Sequence, residues 1–422
     1  MRLHKTAASA AVVAGIAVVT AAPAARGASE PARVQRFSDA STAALSRQIA
    51  AAVTRGDTPG VVEIVVNRDG VLYEAAAGQF DVAHNIPMPA NAIFAIASMT
   101  KPMTSVAIMM LLEQGKLTLD DPVSTYLTGY DNLQVITKFN EKDATYETRP
   151  ARRAMTIRQL LSHTSGIGYS FTNPIEYRLT QATKKTEWEL PLLDDPGTKW
   201  HYSASTRVLG FIVEKVTGTP LETWYQEHIF KPLGMVDTSF AVAADKQSRV
   251  PTTHSRFTGK MVEQARTPIP STPTAPFRGD GGLYSTVQDY AKFVRMLLNE
   301  GTLGGAKILT PASVKMMGEN QIGSIFVERQ PDADRQRTKP FPLGAGTDKF
   351  GLGFQLASPD PQAATFRSPG SMSWAGIFNT EFWVDPVKHV GAVQMMQVLP
   401  FYDDGAIRTL RDFEELVYKA LK

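Results

Sequence analysis

The stretch "IFAIASMTKPMTSVAIMMLLEQGKL", Ile93 to Leu117, sets two polar residues, Ser98 and Lys101, at the threshold of a long apolar run. Met103, Val106, Ala107, Met110 and Leu111 recur at helical spacing and Gly115 is a natural stop, so the stretch predicts a helix. Pro102 has no N–H to donate and belongs near the helix start. That places Ser98 at the N-terminal end, where free backbone N–H groups point outward. Residues three apart share a helix face, so the Lys101 amine can approach the Ser98 hydroxyl. A serine hydroxyl needs a neighbouring base to become a nucleophile. A lysine whose charge is penalised by burial can act as that base, or stay charged and stabilise an alkoxide. Taken alone, such a pair is more often a helix cap with a solvated lysine. This one is the only S-x-x-K in the chain, and it lies between "AIA" and an apolar helix, a setting expected to be buried.

Outward from this helix, strand patterns gather at the two ends of the chain. Before it, Val61–Val66 and Val71–Ala76 are β-rich runs joined by "NRDG", a hairpin signal, and a helix is expected around Ala43–Val53. Far downstream, Gly351–Leu356, Ile377–Val384 and Val390–Val398 read as strands, with "VDPVKH" turning between the last two and an amphipathic helix over Asp404–Leu421. The middle is mainly helical. It holds "TIRQLLSHTSGIG", a stripe of Leu209, Ile212, Val213 and Val216 ended by Gly218, and "VQDYAKFVRMLLNEG". A surface hairpin is expected within Leu133–Met155 and a long loop over Arg329–Lys349, both shaping the pocket. The economical fold is α/β of the α+β kind. One antiparallel sheet is built from both chain ends and flanked by the N- and C-terminal helices, with a helical region inserted. We place the sheet domain at residues 36–97 and 343–422, the helical domain at 98–342, and the site between them.

Composition narrows the function. The 422 residues are 43% hydrophobic and 20% charged, which excludes a disordered chain. Arg2 and Lys5 precede an uncharged run, Thr6 to Ala25, and "APA" at 22–24 offers a cleavage site, so residues 1–24 read as a secretory signal peptide. The alternative is an uncleaved N-terminal anchor; no other segment is long and apolar enough to cross a membrane. With no cysteine, an exported chain must rely on a large core rather than disulfides. Once Arg2 and Lys5 are removed, charge is nearly balanced, which gives no electrostatic case for nucleic acid or anionic membrane as a partner. No two histidines stand four apart, so a zinc site is not expected, and with no strand-glycine-helix pattern for a nucleotide no cofactor is expected either. "GDGG" at 279–282 is too loose for a phosphate cradle.

Two further pieces can carry chemistry. Tyr202, in "KWHYSAST", is a candidate proton carrier if a nearby lysine depresses its pKa. In "SPGSMSWAGIFNTEFWVDP", Gly370, Trp374 and Gly376 precede a β run, and glycine there lets a substrate approach backbone N–H groups able to hold an oxyanion.

Read in order, these pieces resemble the serine β-lactamase and penicillin-binding-protein superfamily, within it the class C β-lactamase-like serine hydrolases and family VIII carboxylesterases. "LLSHTSGI", "PGTKWHYS", "IFKPLGMVDTSF" and "GGLYSTVQDYAKFVRMLLNEG" extend the resemblance from about Ala43 to the C-terminus. It implies a β-lactamase/transpeptidase-like fold, Ser98 as nucleophile, Lys101 as its partner, and Tyr202 as the tyrosine of a Tyr-x-Asn motif. It also implies an oxyanion hole made by the backbone N–H groups of Ser98 and Ile377, and a structural role for His163. Trp374-Ala375-Gly376 falls where lactamases carry Lys-Thr-Gly, and Ala204 where they carry the Asn. Both departures remove polar anchors for an anionic lactam. A Trp offers an apolar wall for an ester instead. We therefore assign Trp374, Ala375, Gly376 and Ala204 to substrate binding.

The expected activity is an exported serine hydrolase cleaving small-molecule carboxylic esters through an acyl-enzyme on Ser98. Which of Lys101 and Tyr202 is the general base stays open at this point. The alternatives are a β-lactamase or D-amino-acid peptidase of the same fold, and a non-catalytic binder that is only acylated.

Overall fold

The computed structural model describes residues 37–422 except 258 and 361–364; the signal-peptide assignment at 1–24 lies outside the described residues. The first helix, α1, runs Asp39–Thr54. It starts earlier than the apolar pattern indicates because Ser38 caps it, accepting from the Ser41 N–H at 3.2 Å. Strands β1 (Gly60–Asn67) and β2 (Val71–Asp81) form the expected hairpin. Asn67 closes its turn by accepting from the Asp69 and Gly70 N–H groups. A short β3 follows at Ile86–Pro87.

The other end of the chain supplies β4 (Lys349–Phe350), β5 (Gln355–Leu356), β6 (Met372–Gly376), β7 (Thr380–Asp385) and β8 (Val390–Met395). All are antiparallel in the order β4-β5-β6-β7-β8-β1-β2-β3. The two chain ends meet at the β8–β1 pair, where Val62 opposes Met395 and Val66 opposes Gly391. Two local readings change. The turn-like "SMSWAG" contains a strand, β6, because it pairs on both sides, with β5 and β7. The run read from Ile377 enters β7 only at Thr380, because Ile377–Asn379 form the connecting turn, with Asn379 at φ 59°.

Helix α2 (Lys101–Glu113) is buried almost all round rather than along one stripe, the mark of a central helix. Helix α3 (Ser205–Thr217) ends at Gly218 with φ 67°, and α4 (Val287–Leu298) lies against β1 and β8. The last helix, α5 (Asp404–Ala420), joins α1 on the opposite face of the sheet. There Leu45, Val65, Tyr73, Trp383, Leu410 and Phe413 form a separate core. Its start is fixed by Asp403, which accepts from Gly405 and Ala406. Among the described residues no helix is long and apolar enough to cross a membrane.

Candidate active site

Ser98 sits on a single 3-10 turn, Ala97–Thr100, that leads directly into α2. Ala97 is left-handed, φ 43°, a conformation that costs a non-glycine residue about 1–3 kcal/mol and is kept only where surroundings impose it. The surroundings are visible. Ile96 N–H bonds to the Leu283 carbonyl, and the α4 residue Tyr290 donates its hydroxyl to the Met99 carbonyl at 2.9 Å. From the other side β6 presses on the same turn: a Cβ on Gly376 would overlap the Ile96 carbonyl oxygen, so only glycine lets the strand dock there. The turn's first internal bond runs from Met99 N–H to Ile96, which leaves the Ser98 N–H ahead of it without a helical acceptor. Ser98 and Ile377 line the same cleft, of about 870 Å³.

The three predicted side chains converge. Lys101 Nζ lies 3.1 Å from Ser98 Oγ, and the Tyr202 hydroxyl donates to the same Oγ at 2.6 Å. Lys101 is 1% exposed, and burial pulls its pKa down to about 7. Asp280 opposes that shift; Arg278 and Arg207 add to it. Tyr202 goes the other way. Proximity to a lysine is expected to depress its pKa, but burial raises it, so the phenol stays protonated.

Two residues complete the arrangement that the sequence did not single out. Lys101 Nζ donates to the Asp280 carbonyl oxygen at 2.7 Å and contacts the Tyr169 hydroxyl at 3.1 Å. Tyr169 spends its own hydrogen on Asp280 Oδ2, at 2.5 Å, so its oxygen is left to accept from Nζ. A neutral amine has two hydrogens and one lone pair. With the hydrogens on Asp280 and Tyr169, the lone pair is what remains for the Ser98 hydroxyl. Asp280 is held by Arg207 Nε at 2.6 Å, and against the effect of burial the charges of Lys101, Arg278 and Arg207, with the Tyr169 hydrogen bond, hold its carboxyl well below the usual range. Its loop reaches Lys101 because Gly279 meets Gly210 of α3 backbone to backbone, with no room for a Cβ on Gly279. The "GDGG" dismissed as a phosphate cradle is thus the piece that orients the lysine. The one signal available was a pair of glycines flanking an acid.

Other assignments change. Trp374 is 6% exposed and does not line the cleft; its ring lies 5.0 Å from that of Tyr202 and packs with Trp200 and Phe350. Ala204, fully buried at the start of α3, Ala375 and Gly376 are absent from the lining as well. These four residues therefore lie next to Tyr202 or the Ile377 turn and do not form a wall of the cleft. His163 hydrogen-bonds Ser203 at 2.8 Å, is buried among aromatic rings, and is kept neutral by burial and by Lys101. The loop 329–349 is packed onto the site: Gln330 accepts from the Tyr202 N–H and Phe341 stacks edge-on to the Tyr202 ring. The hairpin within Leu133–Met155 lines no part of the cleft. It pairs with Leu192, bracing the segment that leads to Tyr202.

A serine hydroxyl held between a buried lysine and a buried tyrosine, under a sheet made from both chain ends, defines an enzyme of the serine hydrolase and acyltransferase class. The chain belongs to the beta-lactamase family, whose description matches residues 45–416. It is 33% identical to an uncharacterized protein of Mycobacterium tuberculosis, over 81% of this chain and 86% of that one. It is 28% identical to the lovastatin esterase of Penicillium rubens, over 87% and 96%. Acyltransferases stand among the relatives too. A mutant simvastatin synthase of Aspergillus terreus superposes with a TM-score of 0.76 at 25% identity, covering 90% of this chain and 97% of that one.

Proposed function

We propose that the chain is an exported serine hydrolase that cleaves carboxylic esters through an acyl-enzyme on Ser98. The observation that carries this reading is the buried Lys101 amine, near neutrality at physiological pH, with its lone pair left for the Ser98 hydroxyl. In this reading Lys101 takes the Ser98 proton as Oγ attacks the ester carbonyl. The backbone N–H groups of Ser98 and Ile377 hold the resulting oxyanion. As the C–O bond breaks, the Tyr202 hydroxyl gives its proton to the departing alkoxide, and the phenolate recovers the proton held by Lys101. Water then attacks the acyl-enzyme, the same two groups carry its proton, and the acid leaves. An alcohol in place of water makes the same site an acyltransferase, as some of the relatives are named.

Esters over lactams is supported by the missing Asn at Ala204 and Lys at Trp374, and by apolar cleft walls that include Phe171, Trp188, Ile269 and Leu399. A panel of p-nitrophenyl butyrate, nitrocefin and a D-Ala-D-Ala peptide tests it. Ester turnover well above the others is expected; nitrocefin turnover far above the ester overturns the choice, and stoichiometric acylation without turnover favours a binder. Adding a primary alcohol and analysing products separates hydrolysis from transfer. Export is supported by the charge pattern of residues 1–25. Cell fractionation with N-terminal sequencing is expected to find the mature chain outside the cytoplasm, starting near Ala25. A cytoplasmic chain with its N-terminus intact overturns that part.

A further inference from the structure

Four arginines line the cleft around Ser98, namely Arg207, Arg266, Arg278 and Arg337, against two carboxylates, Glu187 and Asp280. Three of the four have acidic neighbours. Arg207 is buried on Asp280 and lies over Trp188; Arg266 reaches Asp81 at 3.3 Å; Arg278 stands 3.6 Å from the same Asp280. Asp280 is already engaged by Arg207 and Tyr169. Arg337 differs: among the described residues it has no ion-pair partner, is exposed, and its guanidinium lies over the Phe171 ring, 5.1 Å from the centroid. Phe171 in turn packs edge-on against Tyr202, centroids 6.2 Å apart, so the Phe171 and Tyr202 rings link this cation to Ser98 Oγ.

We propose that the cleft takes esters that carry a carboxylate, and that Arg337 binds it. This rests on the esterase reading above and names its substrate class. A guanidinium on an aromatic face is pre-oriented and presents its donor fork outward, the geometry that receives a carboxylate in two hydrogen bonds. The excess of positive charge in a partly enclosed cleft raises the local concentration of an anionic substrate. Its apolar walls take the remainder of the molecule, so the ligand is amphiphilic: an apolar body with the ester at Ser98 and the acid beyond the Tyr202 and Phe171 rings.

The test compares p-nitrophenyl hydrogen glutarate with p-nitrophenyl pentanoate, alike in length and different in charge. A second pair, 4-butyryloxybenzoate with phenyl butyrate, puts the charge on the alcohol side. The wild-type enzyme is expected to favour the charged member of at least one pair through a lower KM, with the preference shrinking as salt rises. Arg337→Gln is expected to cut the charged-to-neutral ratio of kcat/KM roughly five- to tenfold, the range of a partly exposed ion pair. Arg337→Lys should restore part of it. Calorimetric titration of each pair into Ser98→Ala, with and without Arg337→Gln, reads the same preference as binding and does not depend on turnover. A wild-type enzyme with no charge preference overturns the proposal, as does an Arg337→Gln loss equal for both members. Charge-selective binding without turnover of any ester leaves the anchor standing and sinks the esterase reading.

Discussion

Replacing Ser98 by alanine is expected to lower ester turnover by a factor on the order of 10⁴ or more, with the fold intact. Both side chains assembled at the site converge on this one hydroxyl, the Lys101 amine and the Tyr202 hydrogen. Without Oγ no covalent intermediate can form, and what remains is binding plus the oxyanion donors acting on a distant water. The structural cost is small. Ser98 is only partly buried and opens onto the cleft, so water can take the hydrogen bond Tyr202 loses. Lys101 keeps its bonds to Asp280 and Tyr169. Steady-state kinetics with thermal unfolding checks both halves, and mass spectrometry of the wild-type chain after a fluorophosphonate should place one adduct on Ser98. An alanine variant that retains turnover within tenfold of wild type removes Ser98 from the chemistry.

The parts of this architecture that were legible in the sequence are those fixed by neighbours along the chain. The β1–β2 hairpin follows from the β-rich runs Val61–Val66 and Val71–Ala76 on either side of Asn67-Arg68-Asp69-Gly70, and its turn is held by Asn67 itself. Helix α3 stops where Gly218 takes the left-handed conformation. Ser98 and Lys101 were readable because three residues on a helical turn fix their meeting. What stayed hidden acts across the chain. Asp280 reaches Lys101 from 179 positions away, and it does so with a backbone carbonyl, which every residue type has. Strand β6 is only five residues long and has no run of β-branched residues, and only its partners on both sides make it a strand. Trp374 and Tyr202 show a different failure. Residue type suggested an apolar wall and an acidified phenol; burial turned the first into packing and reversed the second.

Lys101→Arg is expected to reduce kcat/KM by roughly 10²- to 10⁴-fold, and the wild-type enzyme to lose activity as pH falls through about 7. Both follow from one requirement, a neutral amine facing Ser98. Burial brings the Lys101 pKa down to about 7, so above that pH the lone pair is present and below it the ammonium has no acceptor site for the serine proton. The acidic limb of kcat/KM should therefore carry this group, falling about tenfold per pH unit below it. An arginine stays protonated at every usable pH and cannot take the proton, whatever hydrogen bonds it keeps. Asp280 supplies the sign test. Its carboxylate favours the ammonium, while Arg278 and Arg207 disfavour it. Asp280→Asn removes the favourable term and keeps the other two, so the acidic limb should move to lower pH even as kcat drops from disturbed positioning. Thermal unfolding of each variant separates a lost base from a lost fold. A limb that moves to higher pH in Asp280→Asn, or a wild-type profile flat from about pH 5.5 to 8, excludes Lys101 as the base and passes that role to Tyr202.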